Sequence, residues 1–274
     1  MKQYIQITIP VIQQDTREIL IAQLSESGYE AFEEEEQLLK AFIETVLFDE
    51  GQLQIVLHPH SLQYESSLLP VTNWNEEWEK NFQPVTVDDF CSIRAEFHSP
   101  IPNVQHEIII TPKMSFGTGH HATTFMMVQL MRTTDFFGKY VFDFGTGTGI
   151  LAILADKLGA REVIAIDNDE WSVTNATENM AANACNHISL SLSGNIPTHQ
   201  SFDIILANIN KHVIEGTLEQ MKAQLKQGGQ LLLSGLLEND FADINALALK
   251  NGLELKERLS RSGWIALKYH DLNK

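Results

Sequence analysis

The stretch Asp143-Phe144-Gly145-Thr146-Gly147-Thr148-Gly149 decides the fold class of this chain of 274 residues. The short apolar run that ends at Phe144 is typical of a buried strand, and the apolar residues from Ile150 onward predict a helix. Three glycines therefore occupy a strand-to-helix turn, where they permit positive φ angles and let a ligand approach the backbone closely. Alone, such a turn is weak support for a ligand, because tight turns favour glycine anyway.

Around this turn, short apolar strands alternate with amphipathic helices. Strands are predicted at 141–144, 162–167, 202–207 and 230–234, with helices at 150–158, 170–182 and 214–225. Two last strands, at 253–259 and 264–269, flank Ser-Arg-Ser-Gly and predict an antiparallel hairpin. The expected fold class is α/β, with a doubly wound sheet that ends in an antiparallel hairpin.

The first 60 residues predict a separate, small α+β domain. A strand at 4–10 precedes a helix at 16–28, and further strands are predicted at 31–35, 38–43 and 52–57. Residues 61–80 are interpreted as a linker with a helix, on which Trp74 and Trp78 share one face. The second domain then spans 81–274. Because the first domain shows no catalytic constellation, it is interpreted as a substrate-recognition module.

Composition restricts the class of protein. The formal net charge of −17 disfavours general binding to nucleic-acid phosphates. The two cysteines and ten scattered histidines show neither a disulfide framework nor a metal-ligand spacing, so no metal site is predicted. No apolar run is long enough to span a membrane, and residues 1–10 lack a signal-peptide core. A cytoplasmic protein is therefore expected.

A carboxylate follows the glycine-rich turn at the spacing of a nucleoside site. Asp167 ends the strand 162–167 and lies 22 positions after Gly145 (167 − 145 = 22). In an open α/β sheet, this residue is expected at the carboxyl edge of the second strand, beside the ligand crevice. Its oxygens can accept both hydroxyl protons of a ribose, which suits NAD and S-adenosylmethionine alike.

The spacing of the glycines distinguishes the two cofactors. A dinucleotide turn usually follows Gly-x-Gly-x-x-Gly, with a helix N-terminus facing a pyrophosphate. Here the spacing is Gly-x-Gly-x-Gly, and Asp143 stands two positions before the first glycine. S-adenosylmethionine has no phosphate, and its ammonium needs a nearby acceptor. The sequence therefore favours S-adenosylmethionine, while an NAD-dependent oxidoreductase is the competing interpretation.

The strand predicted at 202–207 leads directly into Asn208. This residue is expected across the crevice, near the group that is transferred. Its side-chain carbonyl can accept a hydrogen bond from an incoming amine or from the cofactor. Methyltransferases of planar amides and bases commonly continue here as Asn-Pro-Pro-Tyr, whereas this chain continues as Asn208-Ile209-Asn210. The difference shifts the expected acceptor toward an aliphatic amine.

The segment 116–124, Phe-Gly-Thr-Gly-His-His-Ala-Thr-Thr, is dense in glycine and hydroxyl groups. It predicts either a lid over a ligand or a capped junction between a loop and a helix. His121 is interpreted as either a base or a buried hydrogen-bonding residue.

Together these motifs resemble the ribosomal protein L11 methyltransferase family (PrmA) over nearly the whole chain. The resemblance is carried by the segments 116–124, 143–153, 207–209 and 233–237 and by Trp264. The family usually has Pro-Gly-x-Ala before the Phe-Gly-Thr-Gly motif, where this chain has Pro-Lys-Met-Ser at 112–115.

The resemblance implies a seven-stranded methyltransferase (Rossmann-like) sheet and a specific cofactor site. The implied contacts to S-adenosylmethionine are Thr124, Gly145, Asp167 and Asn208, to which the glycine-rich turn adds Gly147. We expect Asn208 also to align the attacking amine, which makes it the predicted catalytic residue.

The resemblance also implies an acceptor. Lysine side-chain amines and the N-terminal α-amine of L11, a protein of the large ribosomal subunit, would be methylated repeatedly, and the N-terminal domain would dock this substrate. Two alternatives remain open besides the oxidoreductase. One is a methyltransferase of another amine, and the other is a non-catalytic binding protein that keeps the cofactor fold.

Overall fold

The chain divides into two compact units, Met1–Lys80 and Asn81–Lys274. A computed structural model describes residues 3–11, 13–35, 37–69, 83–111, 121–198 and 200–272. Trp74, Trp78 and the motif at 116–120 therefore lie outside the described residues. Among those that are described, no helix is long and apolar enough to cross a membrane.

The first unit contains a four-stranded antiparallel sheet in the order β2-β3-β1-β4, with two helices. Its elements are β1 (Tyr4–Pro10), α1 (Gln14–Glu26), β2 (Ala31–Glu34), β3 (Leu38–Glu44), α2 (Glu50–Leu57) and β4 (Glu65–Leu68). Alternate residues of β1 and β3 point into a core that also takes apolar side chains of both helices. The predicted small α+β domain is thus present as a sheet with its own core.

Two predictions for this unit were wrong in detail. Residues 52–57, predicted as a strand, belong to helix α2, because Asp49 accepts hydrogen bonds from the backbone N–H groups of Gly51 (2.8 Å) and Gln52 (3.1 Å) and caps the helix. The buried side chains Leu53 and Leu57 are one helical turn apart. The predicted linker at 61–80 contains β4, which pairs with β1, so this sheet extends beyond residue 60.

The second unit begins with a three-stranded sheet in the order β5-β6-β7. Its strands are β5 (Val85–Val87), β6 (Cys91–Ala95) and β7 (His106–Ile110). Two buried or half-buried amides fix its edge: Asn179 Oδ1 accepts from the N–H of Thr111 (2.7 Å), and Asn183 Nδ2 donates to the carbonyl of Ile109 (2.6 Å). Both asparagines belong to a helix of the α/β layer, so the small sheet is attached to that layer.

The larger sheet has seven strands in the order β10-β9-β8-β11-β12-β14-β13. The strands are β8 (Tyr140–Phe144), β9 (Glu162–Asp167), β10 (Ile188–Leu192), β11 (Phe202–Asn208), β12 (Leu225–Leu237), β13 (Leu253–Arg261) and β14 (Trp264–Asp271). The helices are α3 (Ala122–Arg132), α4 (Ile150–Lys157), α5 (Glu170–Ala182), α6 (Lys211–Gln224) and α7 (Phe241–Lys250). The predicted doubly wound α/β fold is confirmed.

The order of the strands creates a crevice at one edge of this sheet. Strands β10, β9, β8, β11 and β12 are parallel. After β8, the chain adds β9 and β10 on one side of it and then returns to add β11 and β12 on its other side. Ligands bind at such a switch point, outside the carboxyl ends of the strands. The antiparallel β13–β14 hairpin completes the sheet, as the sequence predicts.

Candidate active site

The glycine-rich turn between β8 and α4 has the backbone geometry that its sequence predicts. Gly145, Gly147 and Gly149 have φ angles of 72°, 55° and 83°. A Cβ on Gly145 would lie 2.4 Å from Cγ2 of Ile209, so a side chain has no room there. The turn is fixed to β9 because the N–H groups of Gly145 and Thr146 both donate to the carbonyl of Ile166 at 3.0 Å.

Asp167 lies beside this turn at the carboxyl end of β9. Its Oδ2 accepts a hydrogen bond from the N–H of Gly147 at 2.8 Å, and its Oδ1 accepts from the N–H of Asp169 at 3.0 Å. Both oxygens are therefore held in place, and each keeps lone-pair capacity for a further donor. The half-buried carboxylate therefore has the capacity to accept the hydroxyl protons of a ribose.

The sequence motif suggests that Asp143 faces the ligand, but its side chain is buried behind the glycine-rich turn. The side chain is 1% exposed, and the hydroxyl of Thr146 donates to its Oδ2 at 2.6 Å. Burial raises the pKa of Asp143 to about 7. The residue does not line the cavity described below, so it holds the glycine-rich turn from behind.

Asn208 and Thr124 meet where β11 ends against the first turn of α3. The amide Nδ2 of Asn208 lies 3.5 Å from the Thr124 hydroxyl, which is the donor–acceptor limit of a weak hydrogen bond. The Oδ1 of Asn208 is buried and has no hydrogen-bond partner among the described residues. Because a buried acceptor without a partner costs free energy, this oxygen is suited to accept an N–H from a ligand.

His121 and Trp264 form an aromatic contact on the same side of the site. His121 caps helix α3, and its Nδ1 is 2.7 Å from the hydroxyl of Thr123. The two rings are arranged edge to face, with centroids 4.7 Å apart. Of the two interpretations of His121, the geometry favours the hydrogen-bonding one, because the ring is committed to capping the helix.

These residues surround a cavity of about 660 Å³, a size typical of small-molecule sites. Four of the predicted residues line it, namely Gly145, Gly147, Asp167 and Asn208. Thr124 instead lines a smaller cavity of about 30 Å³, which shares both glycines and Asn208 with the larger one. The structure therefore gathers all five predicted side chains and backbone positions at one crevice.

Several lining residues are absent from the sequence-based prediction. Ser193 and Gly194 follow β10, and the N–H of Ser193 donates to the carbonyl of Asp167 at 2.8 Å. Gly235 lies in β12, where a Cβ would come within 2.1 Å of the carbonyl oxygen of Ile209. Ser193 and Gly194 were missed because β10 was not recognised as a strand, although every residue that follows a parallel strand is a candidate for the crevice.

The residues present fit S-adenosylmethionine. The cavity offers a fixed carboxylate, a glycine-rich backbone and an unpartnered buried carbonyl oxygen. Among the residues that the structure describes, no cluster of three or more His, Cys, Asp or Glu side chains could hold a metal ion.

The sequence is similar to known methyltransferases over most of its length. A family model described as Ribosomal protein L11 methyltransferase (PrmA) matches residues 7–271. The ribosomal protein L11 methyltransferase of Porphyromonas gingivalis is 41% identical over 263 residues, which cover 92% of this chain and 90% of that protein. That of Chlorobaculum tepidum is 38% identical over 242 residues, covering 84% of this chain and 83% of that protein.

Solved structures agree with the sequences. The crystal structure of ribosomal protein L11 methylase from Lactobacillus delbrueckii subsp. bulgaricus has a TM-score of 0.64 and 29% identity, covering 69% of this chain and 98% of that one. A methyltransferase from Pyrococcus furiosus, 20% identical with a TM-score of 0.51, covers 60% of this chain and 88% of that one, and shares the fold. By its sequence, its sheet and the residues at its crevice, this chain belongs to the ribosomal protein L11 methyltransferase (PrmA) family.

Proposed function

We propose that this protein transfers methyl groups from S-adenosylmethionine to amines of ribosomal protein L11, both on lysine side chains and at the N-terminus. The observation that carries this function is the buried Oδ1 of Asn208, a cavity-lining residue, which has no hydrogen-bond partner among the described residues. An oxygen in this state suits a ligand that donates an N–H, such as an acceptor amine. Family membership supports the same chemistry and sets the oxidoreductase aside.

The chain's own residues divide the cofactor site into two ends. Asp167 would accept the ribose hydroxyls, and the backbone of Gly145 and Gly147 would allow close approach of the ligand. Thr124 and Asn208 would lie at the reacting end, where β11 meets α3. When bound, S-adenosylmethionine supplies a methyl group on a sulfonium centre that a neutral amine can attack.

The acceptor amine must lose a proton before it can attack. For lysine, with a reference pKa of about 10.4, the neutral form costs about 4.6 kcal/mol at about pH 7, whereas an α-amine costs about 1 kcal/mol. The titratable side chains that line the cavity already have partners. Asp167 accepts hydrogen bonds from backbone N–H groups, and the Nδ1 of His121 lies against the hydroxyl of Thr123. Partial desolvation of the amine in the cavity would lower its pKa without a strong base.

Asn208 would then align the neutral amine. Its Oδ1 accepts one N–H of the acceptor, which fixes the direction of the nitrogen lone pair, while its Nδ2 stays near the Thr124 hydroxyl. Orientation of this kind lowers a barrier by holding the reacting atoms in line. The hydroxyls of Thr123 and Thr124, two buried residues at the start of α3, would take part in this alignment.

The first unit would dock L11, and the protein would act in the cytoplasm. This role is supported by the separate core of the unit and by the larger cavity, whose described lining residues all belong to the second unit. The relatives are named for a ribosomal protein as acceptor, which supports a location where ribosomal proteins are found.

Mass spectrometry of purified L11, incubated with the protein and S-adenosylmethionine, tests this function. We expect mass steps of one methyl group on several amines, and none when the lysines and the α-amine are acetylated beforehand. Asp167→Ala should lose cofactor affinity by about tenfold or more, since hydrogen bonds to charged groups contribute about 1.5–3 kcal/mol. An unchanged mass of L11 after incubation would contradict the assignment.

A further inference from the structure

The tip of the β13–β14 hairpin contacts the first turn of helix α3 at two points. Trp264 packs edge to face against His121, as described above. The guanidinium carbon of Arg261 lies 3.6 Å from the centroid of the Phe125 ring, which is within the range of a cation–π contact. Phe125 directly follows Thr124, so both contacts act on the helical turn that faces Asn208.

The turn of the hairpin links these two contacts rigidly. Arg261 and Trp264 are the last paired residues of β13 and β14. The two residues between them, Ser262 and Gly263, have φ angles of 50° and 79°, which is the pattern of a tight type I′ turn. Because such a turn is short and well defined, the position of Arg261 constrains the position of Trp264.

Strand β13 lies at the edge of the sheet, so among the described strands the hairpin tip pairs with β12 on its β14 side only. The pairing between β12 and β14 shifts register between Leu233 and Leu236, so the ladder is interrupted just before the tip. Beyond the interruption, Leu237 pairs with Trp264, and the N–H of Glu238 donates to the carbonyl of Gly263 at 3.0 Å. A lateral contact with α3 therefore contributes to the placement of the tip.

Trp264 belongs to the acceptor side of the cavity. Asp167 and Ser193 follow β9 and β10, on the side where the nucleoside would lie. Trp264 and Asn208 lie on the opposite side of the switch point, at β14 and β11. An acceptor that reaches the Oδ1 of Asn208 on this side meets the aromatic wall formed by His121 and Trp264.

We propose that Arg261 is a positioning residue for the methyl acceptor, in a role that rests on the function proposed above. By stacking on Phe125, Arg261 holds Trp264 against His121 and so sets the acceptor-side wall of the cavity. Arg261 does not line the cavity, so it acts through Trp264.

The same strand provides a matched control. The guanidinium carbon of Arg258 lies 4.0 Å from the centroid of the Phe241 ring on helix α7. Both contacts join an arginine of β13 to a phenylalanine in the first turn of a helix, but only α3 reaches the cavity, through its capping residue His121, whereas no described residue of α7 lines it. Arg258→Ala should therefore cost similar stability without affecting the acceptor.

Steady-state methylation and ligand binding separate the two arginines. For Arg261→Ala we expect the KM for L11 to rise by about tenfold, because small misplacements near a reacting centre are costly, while the Kd for S-adenosylhomocysteine changes by less than about twofold. Arg261→Lys should recover much of the KM, since an ammonium also binds an aromatic face. Arg258→Ala should leave the KM and this Kd at their wild-type values.

A second measurement is independent of activity. In NMR spectra, the His121 ring protons should shift in Arg261→Ala, because Trp264 no longer lies against them, and should not shift in Arg258→Ala. An unchanged His121 spectrum in Arg261→Ala overturns the positioning role. Equal KM changes in the two alanine variants also overturn it. If L11 is not methylated by the wild-type protein while the His121 shift is seen, the proposed acceptor fails and the placement of Trp264 by Arg261 stands.

Discussion

At the scale of single residues, Asn208 decides whether the site transfers a methyl group or only binds the cofactor. Asn208→Ala removes the buried Oδ1 that is proposed to orient the amine. Because the nitrogen becomes positively charged as it is methylated, loss of this hydrogen bond in the transition state costs about 1.5–3 kcal/mol, or about a 10- to 150-fold drop in kcat. Calorimetry with S-adenosylhomocysteine should show a much smaller loss of affinity, because Asp167 and the glycine-rich turn are unchanged.

A matched amide substitution controls for general destabilisation. Asn183 binds the backbone of β7 through two hydrogen bonds and is not among the residues that line the larger cavity. Asn183→Ala should lower stability without the kcat effect. Wild-type turnover in Asn208→Ala would remove this residue from the mechanism.

The buried carboxyl group of Asp143 makes the stability of the fold depend on pH. The unfolded carboxyl titrates at about pH 4, whereas burial raises the folded pKa to about 7, so the native state binds the additional proton between these values. This contribution to stability is complete below about pH 4 and is lost as the pH rises through about 7. Asp143→Asn stays neutral, so its stability should not show this loss.

Denaturant unfolding from about pH 5 to pH 8 measures the difference. The free energy of unfolding of Asp143→Asn, relative to wild type, should grow by up to about 1.4 kcal/mol per pH unit until about pH 7. Parallel pH profiles for the two proteins would show that Asp143 has an ordinary pKa in the folded state.

The sequence predicts a site residue when the position of that residue relative to a recognisable strand is enough to place it in the crevice. Gly145, Gly147, Asp167 and Asn208 were found because each follows directly on a strand whose apolar run is visible in the sequence. The position of Asp143 behind the turn depends on burial and on the Thr146 hydroxyl, which no pattern in the sequence encodes.

At the scale of elements, the bend in β12 depends on Gly235. This residue has a φ of 84°, and a Cβ would lie 2.1 Å from the carbonyl oxygen of Ile209. Gly235→Ala should therefore cost about 3 kcal/mol or more, from backbone strain and overpacking together. It should also weaken cofactor binding, since Ile209 follows Asn208 and lines the same cavity.

Gly228 of the same strand is the control. Its φ is 70°, but an added Cβ would meet no atom within 4 Å, so Gly228→Ala should cost only about 1–2 kcal/mol and leave binding intact. Urea unfolding and calorimetry of both variants check the comparison. Equal losses of stability would mean that strain, not the contact with Ile209, limits position 235.

Elements with long, consistent patterns were predictable, and short ones were not. The hairpin of β13 and β14 follows from apolar runs and clear turn residues, and helix α6 follows from Ile214, Leu218 and Met221 at helical spacing. Helix α2 has too few residues to separate helical from strand periodicity, and the capping side chain of Asp49 decides its conformation. Strand β10, at the edge of the sheet, alternates apolar residues with serine and lacks a buried apolar run.

At the scale of the whole molecule, the two units have separate cores. The first core is formed by β1, β3, α1 and α2, and the second by the seven-stranded sheet and its helices. The predicted division into domains was based on the small α+β pattern of the first 60 residues and on the linker-like stretch that follows it, both of which are visible in the sequence. The end of the first sheet was not visible in the sequence, because β4 consists of exposed residues.

The two separate cores, and a larger cavity whose described lining belongs to Asn81–Lys274, predict how the cofactor product stabilises the protein. S-adenosylhomocysteine at about 100 times its Kd should add about 2.7 kcal/mol to the unit that binds it. Because each unit buries its own core, differential scanning calorimetry should show two transitions, of which only that of Asn81–Lys274 moves to higher temperature with ligand. Asp167→Ala should show a smaller shift at the same ligand concentration. A single transition that moves as a whole would instead show that the two units unfold cooperatively.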